Sequence, residues 1–376
     1  MPTTAPGATS TYGLTTGIKL DVEPLIQLIS PYDAPFQGSA MGAVDAVGLP
    51  TGTVFEKKYE WLDETLLTPR STMAATQTTG DAFITLATGD GLKFQTGDML
   101  LINSEYVRVT GYSLTTTDIL LVTRAVSGSA ATINTSNDVI GVGSILAEGS
   151  DPPSARFLDR NDRYNYTEIF GPYKVQSTNS DLSIQKFGIT NEFDHQLANR
   201  IKEAMVAVDQ AIAYGVRLED TGNKWRSMAG IFSHITSVVD STTTQLVLDT
   251  FNTNLQTVFS NGGHPDIVTV GPKQKRVIST FTSSGTVFVQ RPDPTAGRVI
   301  SMVETDFGTL HVLLNRWIRT ADLMCFNRDQ TQVVTLRPMQ YQALAITGDA
   351  MNGMVVGEKG FKFYRQAHAW KASALT

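Results

Sequence analysis

The sequence predicts an α+β fold in which one long helix is set among many short strands. Residues 190–218 contain no proline, and their only glycine, Gly215, lies in the final turn. Apolar residues recur there at steps of three or four, which places them on one stripe of a helix. The stripe consists of Phe193, Leu197, Ile201, Met205, Val208, Ile212 and Val216. Elsewhere, alternating apolar residues and frequent Gly, Ser and Thr are typical of strands and turns.

This long helix is expected to act as the spine of the protein. Thr190 or Asn191 can cap its first turn, where Glu192 adds a favourable negative charge. At 1.5 Å per residue the helix would be roughly 40 Å long. The charged side chains are expected to fall mostly off the apolar stripe. They are Asp194, Arg200, Lys202, Glu203 and Asp209.

The composition favours a β-rich protein with a large polar but uncharged surface. Of the 376 residues, 41% are hydrophobic and only 18% are charged, with 31 glycines. This length suggests two or three structural units. The net charge of −6 argues against a dedicated nucleic-acid binder, because neutralising phosphates requires clustered Lys and Arg. It does not exclude a protein that encloses nucleic acid.

The cysteine content and residues 1–13 indicate the kind of cellular compartment in which the protein is made. A single cysteine, Cys325, rules out an intrachain disulfide and fits assembly in a reducing compartment. Its neighbours Leu323, Met324 and Phe326 favour a buried structural thiol over a reactive one. Residues 1–13 lack the basic and apolar regions of a signal peptide, and no run approaches the roughly 20 apolar residues that span a bilayer. We therefore expect a protein that does not cross a membrane by itself.

The first half of the chain predicts an arm and loops. Residues 1–50, punctuated by proline and glycine, predict an extended arm with a short helical patch at 22–30 that gains order only on a partner. A disordered tail is the alternative. Residues 53–66 and 164–178 each predict a strand, and the two would form a long two-stranded arm if they pair antiparallel. Between them, short strands at 77–147 predict a small barrel or sandwich.

The second half predicts a compact α/β subdomain followed by further strands. A helix at 249–263 has an apolar stripe that includes Phe251 and Leu255, with Asp249 as its cap and Gly262 as its stop. The remaining predictions are a loop at 222–235, strands at 265–272, 305–318 and 322–327, a helix at 272–283, a loop at 283–300, and strands from 333 to the end.

No constellation of residues predicts catalysis, a cofactor or a metal. There is no nucleophile elbow and no phosphate-binding loop, and the Gly141-Val142-Gly143 run lacks a third glycine. The five histidines are isolated from one another and from cysteine or paired carboxylates, which argues against a metal site. Two of Glu60, Asp63 and Glu64 could be taken for an acid–base pair, but on an alternating strand these residues more simply form an exposed or partner-facing edge. We therefore expect a protein that is not an enzyme.

Four motifs, together with the order of the elements, resemble a known family. They are EKKYEWLDETLLTP (56–69), GDGLKFQTGDMLLI (89–102), AEGSDPPSAR (147–156) and NYTEIFGPYKVQST (165–178). The chain resembles the major capsid protein of tailed bacteriophages with the Hong Kong ninety-seven-type fold, and more closely a capsid-protein family of podophage-like relatives. The motifs lie across residues 53–219, while the resemblance of the last third rests on domain order alone.

The resemblance implies a division of the chain into the segments of that fold. Residues 1–50 would be the N-arm, and 51–180 the E-loop with an inserted β domain at about 77–147. The segment 181–224, with the spine helix at 190–218, would belong to the P-domain together with the strands at 331–376. Residues 225–330 would form the A-domain around the five-fold and six-fold axes.

The resemblance also implies a function and partners. Many copies, as pentamers and hexamers, would assemble in the host bacterial cytoplasm into an icosahedral head shell around a double-stranded DNA genome. Scaffolding, portal and decoration proteins are candidate partners, and contact with the packaged DNA would be weak and non-specific. We expect a noncovalent shell, because Lys57 and Lys58 do not lie in a recognisable cross-linking context.

Charged residues on the first strand and on the returning segment are the candidate intersubunit contacts, because mixed charges can fix the register between neighbours. They are Glu56, Lys57, Lys58, Glu60, Asp63, Glu64, Arg156, Asp159, Arg160, Asp162 and Arg163. One alternative function is a phage tail or fibre-type β-structural adhesin that binds a host surface, which the long helix disfavours. Another is a hydrolase, which the lack of a catalytic constellation disfavours.

Overall fold

The structure is a computed structural model that describes most of the chain. The described residues are 33–37, 48–64, 66–113, 116, 118–153, 160–186, 189, 191–281, 302–346 and 348–376. Several predictions therefore lie outside the described residues: most of the N-terminal arm with its helical patch, the loop at 283–300, and the candidates Arg156 and Asp159. The α+β prediction is confirmed by the helices and strands that follow.

The described residues contain five α-helices and twenty strands. The helices are α1 (Asn179–Ser183), α2 (Glu192–Tyr214), α3 (Ile231–His234), α4 (Leu248–Ser260) and α5 (Pro272–Thr280). The strands up to the spine helix are β1 (Thr51–Thr53), β2 (Lys58–Asp63), β3 (Arg70–Thr72), β4 (Phe83–Thr85), β5 (Asp98–Ile102), β6 (Glu105–Tyr112), β7 (Ile119–Ser127), β8 (Asp138–Ser144), β9 (Asn161–Tyr166) and β10 (Glu168–Thr178). Those after it are β11 (Leu218–Asp220), β12 (Trp225–Ser227), β13 (Val238–Asp240), β14 (Ile267–Val270), β15 (Met302–Thr305), β16 (Gly308–Leu314), β17 (Leu323–Phe326), β18 (Thr331–Ala343), β19 (Ala350–Phe363) and β20 (Trp370–Ala372).

The chain divides into two compact units, one formed by residues 1–60 and 164–376 and the other by residues 61–163. The chain passes from the first unit to the second within β2 and returns within β9, and these two strands pair as a two-stranded sheet. The prediction that residues 164–178 pair with residues 53–66 along their whole length is wrong beyond β9, because β10 pairs with β19 instead. Alternation along a strand shows which side chains share a face but does not select the neighbouring strand.

The first unit contains two larger sheets. One has the strand order β1-β18-β19-β10, and the other is a mixed sheet with the order β13-β20-β17-β14-β16-β15. Within the segment predicted as strands from 333 to the end, residues 350–363 form one continuous strand, β19. Cys325 on β17 is buried in the second sheet, as predicted, and this burial raises the pKa of its thiol. No helix of the described ranges is long and apolar enough to cross a bilayer.

The spine helix is confirmed, although α2 is shorter than the predicted 190–218. The Asn191 side chain accepts a hydrogen bond from the Phe193 backbone N–H at 3.0 Å, so Asn191 is the cap. The helix ends before Gly215, where a side chain would clash with the carbonyl oxygens of Met228 and Ala211. Val216 therefore lies outside the helix and is exposed rather than part of the stripe.

Asp209, which was predicted to fall off the apolar stripe, is nevertheless not exposed to solvent. It is fully buried, whereas Ile201, assigned to the apolar stripe, is exposed. The residues of α2 buried in the structure are Phe193, Ala204, Val208, Asp209, Ile212 and Ala213. The helical period places residues relative to one another, but the segments that cover the flank of a helix come from distant parts of the chain, which the period does not specify.

The α/β subdomain follows the prediction closely, with β14 leading into α5 and Pro272 at the first position of that helix. Pro is favoured there because its missing N–H would have no partner in the helix. The predicted cap of α4 is wrong, since the helix begins at Leu248 and Asp249 lies inside its first turn. Val247 occupies the capping position without a side-chain hydrogen bond.

The second unit is built on one six-stranded antiparallel sheet with the order β3-β8-β5-β6-β7-β4. The strands predicted within 77–147 are confirmed as β4 to β8. Apolar side chains of these strands alternate into a common core that includes Leu100, Val107 and Leu120. At one edge of that core the Arg124 guanidinium donates to both carboxylate oxygens of Glu105 at 2.7 Å.

Candidate assembly surfaces

The predicted charged strand is present as β2, and its two faces differ. Tyr59 and Trp61 are buried, whereas Lys58, Glu60 and Leu62 are exposed. The Tyr59 hydroxyl accepts a hydrogen bond from the Phe361 backbone N–H at 2.7 Å and donates to the Phe361 carbonyl oxygen at 3.0 Å. Burial raises the pKa of Tyr59, so the hydroxyl keeps its proton. Tyr59 of β2 is thus fixed to β19, and the opposite face of the strand carries charge.

Most of the candidate contact residues form ion pairs within the chain. Lys57 pairs with Glu219 at 2.7 Å, Arg163 with Asp63 at 3.3 Å, and Arg160 with Glu64 at 3.5 Å; Lys58 pairs with Glu60. The hydrogen bond that Lys57 donates to Glu219 lowers the pKa of Glu219, and the one that Lys58 donates to Glu60 raises the pKa of Lys58. Exposed pairs of this kind each contribute little to stability.

Two of the candidates are left without such a pair. Glu56 and Asp162 are exposed, and neither side chain forms a hydrogen bond or ion pair with another described residue. Phe55, beside Glu56, is 91% exposed. An aromatic side chain that loses almost no contact with water is unusual in a folded chain, since large apolar groups favour burial. This site therefore offers both an apolar and an acidic group to a partner.

A short hairpin formed by β11 and β12 (residues 218–227) was missed, because residues 222–235 were predicted as a loop. The Asp220 carboxylate accepts hydrogen bonds from the backbone N–H groups of Gly222 and Asn223, at 2.8 and 3.0 Å, and so closes the turn. The run Asp-Thr-Gly-Asn at 220–223 is a turn signal that could have revealed the hairpin. Trp225 is 50% exposed and Leu218 is 47% exposed.

The hairpin is fastened to the first unit through charged side chains. Arg226 pairs with Glu358 on β19 and donates to the Thr167 hydroxyl at 3.2 Å. The Glu168 carboxylate accepts from the Ser227 hydroxyl and from the Met228 backbone N–H, at 3.3 and 3.1 Å. Burial raises the pKa of Glu168 despite these hydrogen bonds. Charge-assisted hydrogen bonds at partly buried positions hold the hairpin in one orientation.

Residues 33–37, a described part of the N-terminal segment, are anchored against α2 and the turn after β16. The Arg316 guanidinium donates to the Asp33 carboxylate at 2.5 Å, and the Trp317 indole N–H donates to the Asp33 carbonyl oxygen at 2.8 Å. The Gln37 side-chain amide donates to the Met205 carbonyl oxygen at 2.7 Å. This segment is thus tied at both of its ends to the body of the first unit.

The buried Asp209 side chain binds the middle of the 33–37 segment, at Phe36. Its two carboxylate oxygens accept hydrogen bonds from the Phe36 backbone N–H at 2.8 Å and from the Asn315 side-chain amide at 2.9 Å. Burial raises the pKa of Asp209 to about 7, and the two hydrogen bonds oppose that rise.

Among the described residues no group of three or more His, Cys, Asp or Glu is placed to hold a metal ion.

A family model of the SU10 major capsid protein matches residues 7–376, almost the whole chain. The chain belongs to the SU10 major capsid protein family. It is therefore a shell-forming major capsid protein of the tailed-phage type and a component of the virion capsid. This assignment does not favour the adhesin alternative.

Solved structures similar to this capsid protein include viral and virus-like shells. The capsid of an empty GTA particle has a TM-score of 0.49 at 10% identity, covering 97% of each chain. The chain of Mycobacterium phage Bobi has a TM-score of 0.46 at 8% identity, covering 94% of this chain and 92% of that one. The chain of Microbacterium phage Oxtober96 has a TM-score of 0.45 at 11% identity, covering 92% and 90%. Comparison with curated proteins gives no match.

Proposed function

We propose that this protein forms the icosahedral head shell of a tailed phage and encloses its double-stranded DNA genome. The observation that carries the proposal is the family match across residues 7–376. Copies would gather as pentamers and hexamers in the host bacterial cytoplasm and join into the shell through many modest contacts. Weak contacts that act together in a closed lattice give a stable assembly, because each additional contact forms at high effective concentration.

We propose that the chain is used in the segments of the tailed-phage capsid fold. Residues 1–50 would act as the N-arm and 51–180 as the E-loop, with the β domain at about 77–147 as an insertion. Residues 181–224 and 331–376 would form the P-domain, and 225–330 the A-domain. The anchoring of residues 33–37 on α2 supports this arrangement, because an arm needs a fixed root from which to reach a neighbour.

The shell would be noncovalent and the protein would have no catalytic activity. Both lysines of the E-loop strand have acidic partners in their own chain, Glu219 for Lys57 and Glu60 for Lys58, which supports a salt-bridging rather than a cross-linking role. Boiling assembled particles in detergent should then release single chains. A ladder of linked chains on the gel would contradict this part of the proposal.

Among the candidate contacts, we propose that Glu56 and Asp162 act directly between copies, because both are exposed and without a pair in the described residues. The paired residues would fix the register of the strand that carries them. These are Lys57, Lys58, Glu60, Asp63, Glu64, Arg160 and Arg163, to which Arg156 and Asp159 would add charge on the returning segment. Scaffolding, portal and decoration proteins are the other proposed partners, and contact with DNA would be weak and non-specific.

Negative-stain electron microscopy of the purified protein tests the main proposal. Closed shells, or rings of five and six copies, are the expected result. Elongated trimers would support an adhesin, and monomers at every concentration would contradict assembly by this chain. Adding double-stranded DNA at moderate salt should change particle yield little, since the net charge of −6 does not favour binding to phosphates.

A further inference from the structure

The β11–β12 hairpin has two chemically different faces. Within paired strands, opposite residues lie on the same face and successive residues alternate between faces. Leu218 and Trp225 therefore share one face, because Trp225 lies opposite Asp220 and Leu218 opposite Ser227. Glu219 and Arg226 lie opposite each other on the second face. We refer to Leu218 and Trp225 as the aromatic ridge.

The second face is used entirely within the chain. Glu219 pairs with Lys57, and Arg226 pairs with Glu358 on β19. Just before the hairpin, the Arg217 guanidinium stacks over the Tyr164 ring at 4.1 Å. These contacts hold the hairpin in place and leave the aromatic ridge exposed. A two-stranded sheet cannot bury its second face by itself, so only another element could cover this ridge.

An exposed, fixed tryptophan has the properties of a binding anchor. Tryptophan is among the residues that contribute most when interfaces are truncated, and a side chain on a rigid element loses little conformational entropy when it binds. Trp225 is half exposed although it lies on a hairpin held by two ion pairs. Its neighbour at the turn, Lys224, is exposed and forms no hydrogen bond or ion pair with another described residue.

The same unit carries a complementary site. Phe55 and Glu56 are an exposed aromatic and an exposed, unpaired acid, whereas Trp225 and Lys224 are an exposed aromatic and an exposed, unpaired base. The Lys57–Glu219 ion pair links the segment that carries Phe55 and Glu56 to the hairpin through the hairpin's second face. Two complementary sites on one chain can pair reciprocally across a two-fold axis, each copy supplying both halves.

We propose that the aromatic ridge with Lys224 binds Phe55 and Glu56 of a second copy of this chain. The inference rests on the proposed shell function, since it identifies one of the contacts between copies. Aromatic contact between Phe55 and Trp225 would supply buried apolar area. The charge pair between Glu56 and Lys224 would select the register and disfavour alternative pairings.

A charge-reversal cycle tests the pairing of the two charged residues. Glu56→Lys and Lys224→Glu should each raise the protein concentration needed for assembly, measured by analytical ultracentrifugation and electron microscopy, by at least about fivefold. The double variant should return it to within about twofold of the original protein, because the pair is restored with its signs exchanged. Lys273→Glu is the matched control, since it makes the same change of charge at another exposed lysine and should have little effect.

Disulfide trapping tests the proximity of the two aromatic positions. The variants Phe55→Cys and Trp225→Cys are purified separately, mixed and oxidised, and mass spectrometry should find peptides that link positions 55 and 225. Such a link can only join different chains, and the native Cys325 is buried and does not compete. Mixing Phe55→Cys with Lys273→Cys should give no corresponding link.

The outcomes separate this contact from the shell function itself. If the original protein forms shells but the double charge reversal restores nothing, or no 55–225 link forms, the proposed contact is wrong and the shell function stands. If Trp225→Ala weakens assembly while both charge reversals do not, the ridge binds a different surface and the pairing is also wrong. If the original protein forms no oligomer, the shell function is contradicted.

Discussion

The backbone N–H of Phe36 donates a hydrogen bond of 2.8 Å to the Asp209 carboxylate, across 173 residues of sequence. The second carboxylate oxygen of Asp209 accepts from Asn315, so one buried side chain joins the N-terminal segment, the spine helix and the turn after β16. Among the residues that the structure describes, none forms an ion pair with Asp209. Asp33, the charged residue of the 33–37 segment, pairs with Arg316 instead.

The buried Asp209 should make stability depend on pH. Its pKa is raised from 3.8 to about 7, so the folded state holds a proton that the unfolded state releases between these values. The free energy of unfolding contributed by this group is therefore highest below pH 4, falls as the pH rises, and is flat above pH 7. Between pH 5 and 8 the loss should be roughly 3 kcal/mol.

Asp209→Asn isolates this effect, because an amide of the same shape does not titrate. Urea unfolding at pH 5, 6, 7 and 8 should show the difference between variant and original protein shifting in favour of the variant by roughly 3 kcal/mol. Titration elsewhere in the chain cancels in that difference. A difference that stays constant across the series would contradict an elevated pKa for Asp209.

Truncation of the anchor should destabilise the first unit. Phe36 is fully buried and its ring lies 6.4 Å from that of Phe326. Phe36→Ala should therefore lower the free energy of unfolding by about 3–5 kcal/mol, the usual cost of deleting a buried phenylalanine. Phe55→Ala is the control: this side chain is almost wholly exposed, and its loss should change stability by less than about 0.5 kcal/mol. Equal effects of the two would mean that residues 33–37 are not anchored.

Removing the Tyr59 hydroxyl should lower the free energy of unfolding even when the aromatic ring is kept. Tyr59→Phe removes the hydroxyl that accepts from the buried Phe361 backbone N–H, whereas the Phe361 carbonyl oxygen keeps the hydrogen bond donated by the Asn165 side-chain amide. Leaving buried polar groups without partners costs about 1–3 kcal/mol, which chemical unfolding would measure. Tyr341→Phe is the matched control at an exposed tyrosine and should be nearly neutral. A neutral Tyr59→Phe would indicate that water reaches the Phe361 backbone.

The Glu105–Arg124 pair should be the most sensitive polar contact of the second unit. Both side chains are almost fully buried, and the Glu105 carboxylate also accepts from the backbone N–H groups of Ala125 and Ala131. Burial alone would raise the pKa of Glu105, but the hydrogen bonds from Arg124 and these backbone groups lower it overall. Arg124→Met leaves a buried carboxylate without its cation and should cost about 3–5 kcal/mol.

An exposed pair in the same unit provides the comparison. Arg70 and Asp138 lie 3.0 Å apart with both side chains in solvent, and Arg70→Met should cost less than about 1 kcal/mol. Thermal unfolding followed by circular dichroism would rank the two variants. A loss as large for Arg70→Met as for Arg124→Met would show that burial does not decide the strength of these pairs.

Local patterns predicted the elements well where their meaning did not depend on distant residues. The period of three and four identified α2, the proline at its start identified α5, and alternation with turns identified β4 to β8. Sequence patterns gave wrong predictions where a distant segment of the chain decides how a strand pairs or whether a residue is buried. β10 alternates in the same way whether it pairs with β2 or with β19, and Asp209 is polar whether it faces water or Phe36.

For the candidate contact residues, too, the sequence indicated which residues are charged, and the fold shows which of them are paired. Charge and alternation drew attention to Lys57, Glu60 and Asp63, yet only the fold shows which of these charges have partners in their own chain. Glu56 remains unpaired beside an exposed Phe55, and the hairpin with Trp225 is linked to this segment only because Glu219 reaches Lys57. A single strand pattern carries no information about a hairpin more than a hundred and fifty residues later.

The amino-acid order by itself determined the α+β class, the spine, the apolar strands of the second unit and the resemblance to capsid proteins, because helical and strand periods are set by the backbone of neighbouring residues. Only the tertiary structure decided that Asp209 is buried, that β10 joins β19, and that Phe55 and Trp225 remain exposed. Burial is a property of what packs against a residue, and those packing partners are brought together by the fold of the whole chain.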